Sequence, residues 1–174
     1  MRELHFTPGG LSRLRRRLAA AHAAYQAVCD SNPEALEAGD NSGWHDNFAY
    51  EENQRQMHQL ARRVRDLGLV LAQARMIELP RGGEERVAIG TRVTYELEGD
   101  LAPRTCWIAS WDDGDPAASR VSYNSPLGRA LLGAAAGDSR EMSAGGKART
   151  VTVLIVHGPV DDECDRAGES WPAD

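Results

Sequence analysis

The chain has 174 residues, enough for one or two small domains, and its 41% hydrophobic content supports a modest core. Its formal net charge of −6 gathers at the end, where Asp161, Asp162, Glu163, Asp165, Glu169 and Asp174 face Arg166 alone. Cys29, Cys106 and Cys164 are odd in number and lack CxxC spacing, which excludes a disulfide framework and a paired-cysteine zinc site, and no apolar run approaches a membrane span. With no signal-peptide pattern at the start, these features predict a cytoplasmic, non-membrane protein.

Thr7 followed by Pro8 reads as an N-cap and a first-turn proline. The helix they open should run to about Cys29, with Leu11, Leu14, Leu18, Ala21, Tyr25 and Val28 spaced three and four apart. Pro33 and Gly39 interrupt the approach to a polar turn that carries Asp40, Trp44, His45, Asp46 and Asn47. From Asp46 or Asn47, either able to cap, a second helix should continue to about Glu78 along the stripe Tyr50, Asn53, Met57, Leu60, Val64, Leu67, Leu71 and Ala74. Sustained three-four alternation is a coiled-coil seam, so the pair should close as an antiparallel hairpin over 1–79 with an acidic tip at 39–47. Helices of roughly thirty residues would hold that tip about 45 Å from the base. Asn53 on the apolar seam is a register-fixing residue. Arg13, Arg15, Arg16 and Arg17 on the first helix, with Arg55, Arg62, Arg63 and Arg65 on the second, give the hairpin a basic shaft, read either as a solvated face or as a surface that lies along phosphates or an acidic protein wall.

Leu79 to Glu85 supplies a linker, placed at 80–86. Val87, Ile89, Thr91, Val93, Tyr95 and Leu97 then alternate with period two and predict a strand. Two more strands are expected at Thr105–Trp111 and Arg120–Tyr123, around the turn-rich Asp112 to Pro116. Ser125 as cap and Pro126 as first-turn residue predict a short helix to Leu132, ended by Gly133. Turns at 136–139 and 145–147 precede a β-branched strand over 150–156. The second half is therefore a small antiparallel sheet domain with one short helix over 87–157, and 158–174 reads as an acidic disordered tail.

Three features resemble the Gre transcript-cleavage factors of bacterial RNA polymerase. Gly39-Asp40 followed by Asp46-Asn47-Phe48-Ala49-Tyr50 is similar to the family's Gly-Asp…Glu-Asn-x-x-Tyr tip. Val121 to Gly133, with Gly137-Asp138, is similar to its C-terminal Ser-Pro-Ile-Ala-Arg-Ala-Leu-Ile-Gly signature, and the order of hairpin, linker and sheet domain is shared. The resemblance implies an α+β protein whose FKBP-like C-terminal domain docks at the rim of the polymerase secondary channel while the hairpin enters it. It further implies that Asp40 and Asp46 are the tip acids, that Trp44, His45, Asn47 and Tyr50 are tip contacts, and that Ser125, Pro126, Leu127 and Arg129 form the docking segment. The partner would be RNA polymerase, with nascent RNA within reach and the protein itself monomeric. No cofactor would be tightly bound. Mg²⁺ would be held by Asp40 and Asp46 only within the polymerase active centre, where hard oxygen ligands and a metal-activated water suit RNA hydrolysis.

This sequence places five residues between Asp40 and Asp46 where the family pattern has two, and aspartate where glutamate is usual. A lengthened tip with a shorter second acid favours non-catalytic occupation of the channel and inhibition; stimulated cleavage of backtracked RNA is the alternative. In neither case is the chain itself an enzyme. A distant alternative is a peptidyl-prolyl isomerase-like domain with Trp107, Trp111 and Tyr123 lining a proline pocket, although ordinary core packing accounts for the same aromatics. His5, His22, His58 and His157 read as packing or surface residues.

Overall fold

The computed structural model describes residues 3–31, 48–80 and 85–159. The elements are β1 (Leu4–Phe6), α1 (Pro8–Asp30), α2 (Phe48–Ala72), β2 (Ala74–Met76), β3 (Thr91–Leu97), β4 (Arg104–Ala109), β5 (Arg120–Ser122), α3 (Pro126–Leu131), β6 (Ser139–Ala144) and β7 (Lys147–Pro159), with one 3₁₀ turn at Pro116–Ala118. They form two compact units. One holds Ser12–Gln73; the other combines Arg2–Leu11 with everything from Ala74 onward.

In the helical unit the three-four stripe is the less exposed one. Leu14, Ala21 and Leu67 are buried, and Leu18, Tyr25, Val28, Met57, Leu60 and Val64 are half-buried between exposed neighbours. The register-fixing reading of Asn53 has a physical counterpart, because its Nδ2 donates to the Val28 carbonyl at 3.3 Å and to Ser31 Oγ at 3.0 Å. Arg13 departs from the expected basic face: it is 9% exposed, buried beside Leu14, and only Arg15, Arg16 and Arg17 of that cluster stand in solvent.

The second helix ends earlier than its periodicity predicts. It stops at Ala72 instead of Glu78, and Ala74–Met76 form a strand parallel to β1 in the register Leu4 to Ala74 and Phe6 to Met76. Leu4 and Phe6 are buried, and Ile77 N–H donates to the Phe6 carbonyl at 2.9 Å. Tertiary pairing with a buried strand overrides local helical preference. This places the N-terminal segment and the residues after α2 outside the helical unit, whose division falls at Ser12 and Gln73 and not at residue 79.

The larger sheet has the order β5-β4-β3-β7-β6. Its pairs are antiparallel except β4 with β5, which run parallel because the long loop after Ala109 brings the chain back beside the strand it left. The alternating face predicted from Val87 to Leu97 is the buried one. The regular strand nevertheless starts at Thr91, because Thr91 Oγ1 donates to the Ala88 carbonyl at 2.8 Å and receives the Ala88 N–H at 3.0 Å, closing a turn just before it. Val93, Tyr95, Leu97, Cys106, Ile108, Val151 and Val153 pack with Ala130, Leu131 and Ala134 of the short helix and its exit into one core. Burying a Val or Ile side chain there contributes about 1.5–3 kcal/mol. β6 was not expected, and β7 is longer than the predicted 150–156, reaching Pro159. The predicted tail from 160 on lies outside the described residues.

The first turn of α1 is rooted in this sheet unit. Thr7 caps the helix through Oγ1, which accepts the Gly10 N–H at 3.1 Å, as its sequence position predicts. Thr7 also faces Ser110 at the end of β4: its N–H donates to Ser110 Oγ at 2.9 Å, and the two hydroxyls lie 3.0 Å apart. Both residues are fully buried. A Cβ at position 10 would stand 2.0 Å from Ser110 Oγ, so only glycine permits this approach.

Candidate functional site

The segment after β5 is the best-defined candidate surface. Ser125 is extended (φ −68°, ψ 160°) and its Oγ accepts the Gly128 N–H at 3.0 Å; Pro126 supplies the first helical position, where its missing N–H costs nothing. The helix then packs without clearance against β5: a Cβ on Gly128 would meet the Ser122 carbonyl oxygen at 2.1 Å. Leu131 and Ala130 go into the core, Leu127 lies half-buried against it, and Pro126 and Arg129 face solvent. Of the four predicted docking residues, Pro126 and Arg129 are thus on the surface, Ser125 shapes the turn, and Leu127 divides itself between core and exterior.

The far end of this helix is held by arginines that sequence reasoning did not single out. Arg140 donates to the Leu132 carbonyl at 2.9 Å and Arg86 to the Gly133 carbonyl at 3.1 Å, and both complement the terminal carbonyls of a short helix. At the near end Asn124 Oδ1 accepts the Asp112 N–H at 3.1 Å and is in hydrogen-bond contact with Ser122 Oγ. Ser122 Oγ in turn donates to the Ser110 carbonyl at 2.7 Å. The signal for Asn124 was present in Asn-Ser-Pro, a turn-forming run in which the asparagine side chain bonds nearby backbone. Ser122 falls inside the Val121 to Gly133 motif, whereas nothing in the sequence marks Ser110.

The aromatics weighed as a proline pocket are engaged locally. Trp111 and Tyr123 meet edge to face with centroids 6.0 Å apart, and the Tyr123 hydroxyl accepts the His5 N–H at 3.2 Å. Trp107 sits half-buried on β4, paired in register with Arg92 and Arg120. Cys106 is buried, which pushes its thiol up to about 12 and removes it from thiolate chemistry.

On the helical unit Arg55, Arg62, Arg63 and Arg65 of the predicted shaft are all exposed. Arg55 pairs with Glu52 at 2.7 Å, an exposed contact of little energetic weight. Arg62 and Arg63 line an open groove of about 610 Å³ together with Arg17, Leu60, Asp66 and Leu67. Arg65 is exposed but is not part of that lining. The groove has an apolar floor and cationic walls, with Asp66 offsetting one of the three charges. Of the tip residues, Tyr50 is half-buried near the start of α2, whereas Asp40, Trp44, His45, Asp46 and Asn47 lie outside the described residues. Among the described residues no cluster of three or more His, Cys, Asp or Glu side chains is arranged to hold a metal, and no helix is long and apolar enough to cross a membrane.

Residues 82–157, which contain Ser125, Pro126, Leu127 and Arg129, match the family model described as transcription elongation factor, GreA/GreB, C-terminal. The transcription elongation factor GreA of Sphingopyxis alaskensis is 32% identical over 134 residues, 77% of this chain and 82% of that protein. The chain belongs to the GreA/GreB family. GreA of Rhodospirillum rubrum is 29% identical over 157 residues, covering 90% of this chain and 98% of its own length. GreA of Roseiflexus castenholzii is 34% identical over 99 residues; there the chain spans 61% of the relative's length. The family-model match lies in the sheet unit, where Ser125, Pro126 and Arg129 lie.

Proposed function

We propose that this Gre-family chain binds bacterial RNA polymerase and regulates elongation from within its secondary channel. In this reading α1 and α2 form an antiparallel coiled-coil hairpin that carries Asp40, Trp44, His45, Asp46 and Asn47 into the channel. The FKBP-like sheet unit grips the rim through Pro126 and Arg129, with Ser125 and Leu127 shaping that surface. The observation that carries the reading is the capped helix Pro126–Leu131: its exposed face is fixed by a serine cap, a glycine contact and two arginines, and it falls inside the family-matched region. Arg62 and Arg63 would run beside acidic or phosphate surfaces of the partner, nascent RNA included.

The tip acts by occupancy and slows nucleotide addition. Five residues separate Asp40 from Asp46, and the shorter second acid brings its carboxylate one methylene less far; ligand distances at a metal are held to about 0.2 Å. The alternative keeps the acids as ligands to a polymerase-bound Mg²⁺ that promotes cleavage of backtracked RNA, and the retention of two carboxylates at the tip favours it. In both readings the chemistry belongs to the polymerase, and no cofactor resides in the chain. The protein works as a monomer in the bacterial cytoplasm. A backtracked elongation complex carrying labelled RNA separates the two. Intact RNA with slowed extension is the expected result; transcript shortening that disappears in Asp46→Ala would replace inhibition with cleavage, and an unchanged complex at saturating protein would end both.

A further inference from the structure

We infer that Ser110 is a positioning residue that couples the first turn of α1 to the polymerase-docking segment through one buried polar relay. The relay starts at the Gly10 N–H, which donates to Thr7 Oγ1, itself 3.0 Å from Ser110 Oγ. Ser110 is fully buried and uses both ends: its hydroxyl receives the Thr7 N–H at 2.9 Å, and its carbonyl receives Ser122 Oγ at 2.7 Å. The Ser122 hydroxyl carries one proton for two acceptors, the Ser110 carbonyl and Asn124 Oδ1, and Asn124 Oδ1 also accepts the Asp112 N–H at 3.1 Å. The Ser122 carbonyl accepts the Ser125 N–H at 3.0 Å and is the surface against which Gly128 closes. Every member of the relay belongs to the sheet unit.

A buried polar network of this kind has few alternative arrangements, because an unpaired hydroxyl or carbonyl in such a site is costly. Two close glycine approaches flank the relay, Gly10 on the Ser110 side chain and Gly128 on the Ser122 backbone carbonyl. A shift of the α1 root is therefore passed to Ser122 and Asn124, and so to the Ser125-Pro126 turn. The consequence is that docking and the ordering of the α1 first turn are one event: a partner that seats Pro126 and Arg129 selects one arrangement of Thr7 to Leu11 within the sheet unit.

The inference rests on the docking reading, and its test keeps the two apart. Equilibrium binding of the full chain to RNA polymerase is measured for Thr7→Val, Asn124→Ala, the double variant and Thr7→Ser, with hydrogen exchange of the Asp112 N–H followed in the free protein. Thr7→Val should weaken binding about fivefold, the scale of one net hydrogen bond. Asn124→Ala should do the same, the double variant no more than either single, and Thr7→Ser should bind like the parent. Exchange at Asp112 should accelerate in Thr7→Val although residue 7 does not touch it. If Thr7→Val does not fold, Ser122→Ala replaces it at the middle of the relay in the same cycle. Effects that multiply, or an unchanged Asp112 exchange rate in the folded variant, overturn the relay. If the double variant Pro126→Ala/Arg129→Ala binds polymerase like the parent, the docking reading fails instead, and the exchange measurement alone decides the coupling.

Discussion

The helical unit and the sheet unit are specified in different ways. Between Ser12 and Gln73 the less exposed stripe is thin, with Leu14, Ala21 and Leu67 as its buried apolar members among the described residues. Among the described residues a polar contact links Asn53 with Val28 and Ser31. The sheet unit buries a contiguous core under α3 and fixes its surface loops by specific close approaches. A seam read from periodicity tolerates substitution along its length, whereas a turn held by two backbone contacts and a buried network does not. Sensitivity to single changes should therefore concentrate around Ser110, Ser122 and Gly128.

The largest expected effect follows from the tightest of these approaches. Gly128→Ala places a methyl 2.1 Å from the Ser122 carbonyl oxygen and 2.9 Å from Tyr123 Cα. Both obstacles are backbone, so no side-chain rotation relieves them. Overpacking of this kind costs about 3 kcal/mol, or on the order of 15 °C in the melting of a unit this size. Calorimetry should show the loss in the sheet unit, and polymerase binding should fall with it. An unshifted melting curve would mean that α3 is free to move off β5, and the contrast between the two units would lose its basis.

A smaller effect is expected in the helices. Asn53→Ala removes two hydrogen bonds and should lower stability by about 1 kcal/mol, read from helical circular dichroism in denaturant. Asn53→Leu should regain that stability through apolar contact while losing the specific link to Val28 and Ser31, so their amides exchange faster than in the parent. Equal exchange in parent and Asn53→Leu would show that spacing alone sets the helix register.

These two variants also mark how far the sequence could be read. The seam, the Thr7 and Ser125 caps, the buried face from Val87 to Leu97 and the short helix follow from local rules, because period and capping chemistry are carried by neighbours in the chain. The ends of elements do not. Ala74 to Met76 continue the helical stripe, and only their pairing with Leu4 to Phe6 makes them a strand. β6, Ser139 to Ala144, is an edge strand of polar and small residues with no apolar alternation to announce it, and it exists because β7 offers it a partner. At the candidate docking surface Ser125, Pro126 and Arg129 were legible as a motif. Ser110 was not, because an isolated serine acquires meaning only when distant segments close around it. In the arginine shaft one member departs for the converse reason: clustering in sequence does not anticipate that Arg13 is buried, whereas Arg15, Arg16, Arg17, Arg55, Arg62, Arg63 and Arg65 are exposed.

The smallest effect concerns acid sensitivity and falls in the sheet unit. His157 on β7 has its imidazole held below the ordinary 6.5, first by burial and then by the nearby Arg92 guanidinium, and its Nε2 meets Thr94 Oγ1 at 2.9 Å. A histidine whose folded value is depressed binds its proton more readily when unfolded, so folding is favoured as pH rises. Its contribution is present in full above 6.5 and is lost as pH falls through the lowered value. Asp100 and Glu98 carry the same sign in a separate window. The Arg149 hydrogen bond holds Asp100 below 3.8, and the Thr150 N–H holds Glu98 below 4.5, so their support persists through mildly acid conditions and fails only in strong acid. Melting temperature against pH should accordingly decline in two stages, and His157→Gln should remove the first while leaving the second. Should His157→Gln and the parent lose stability in parallel between pH 7 and pH 5, the first stage belongs to another group, and the Thr94 contact does not discriminate between the charged and neutral ring.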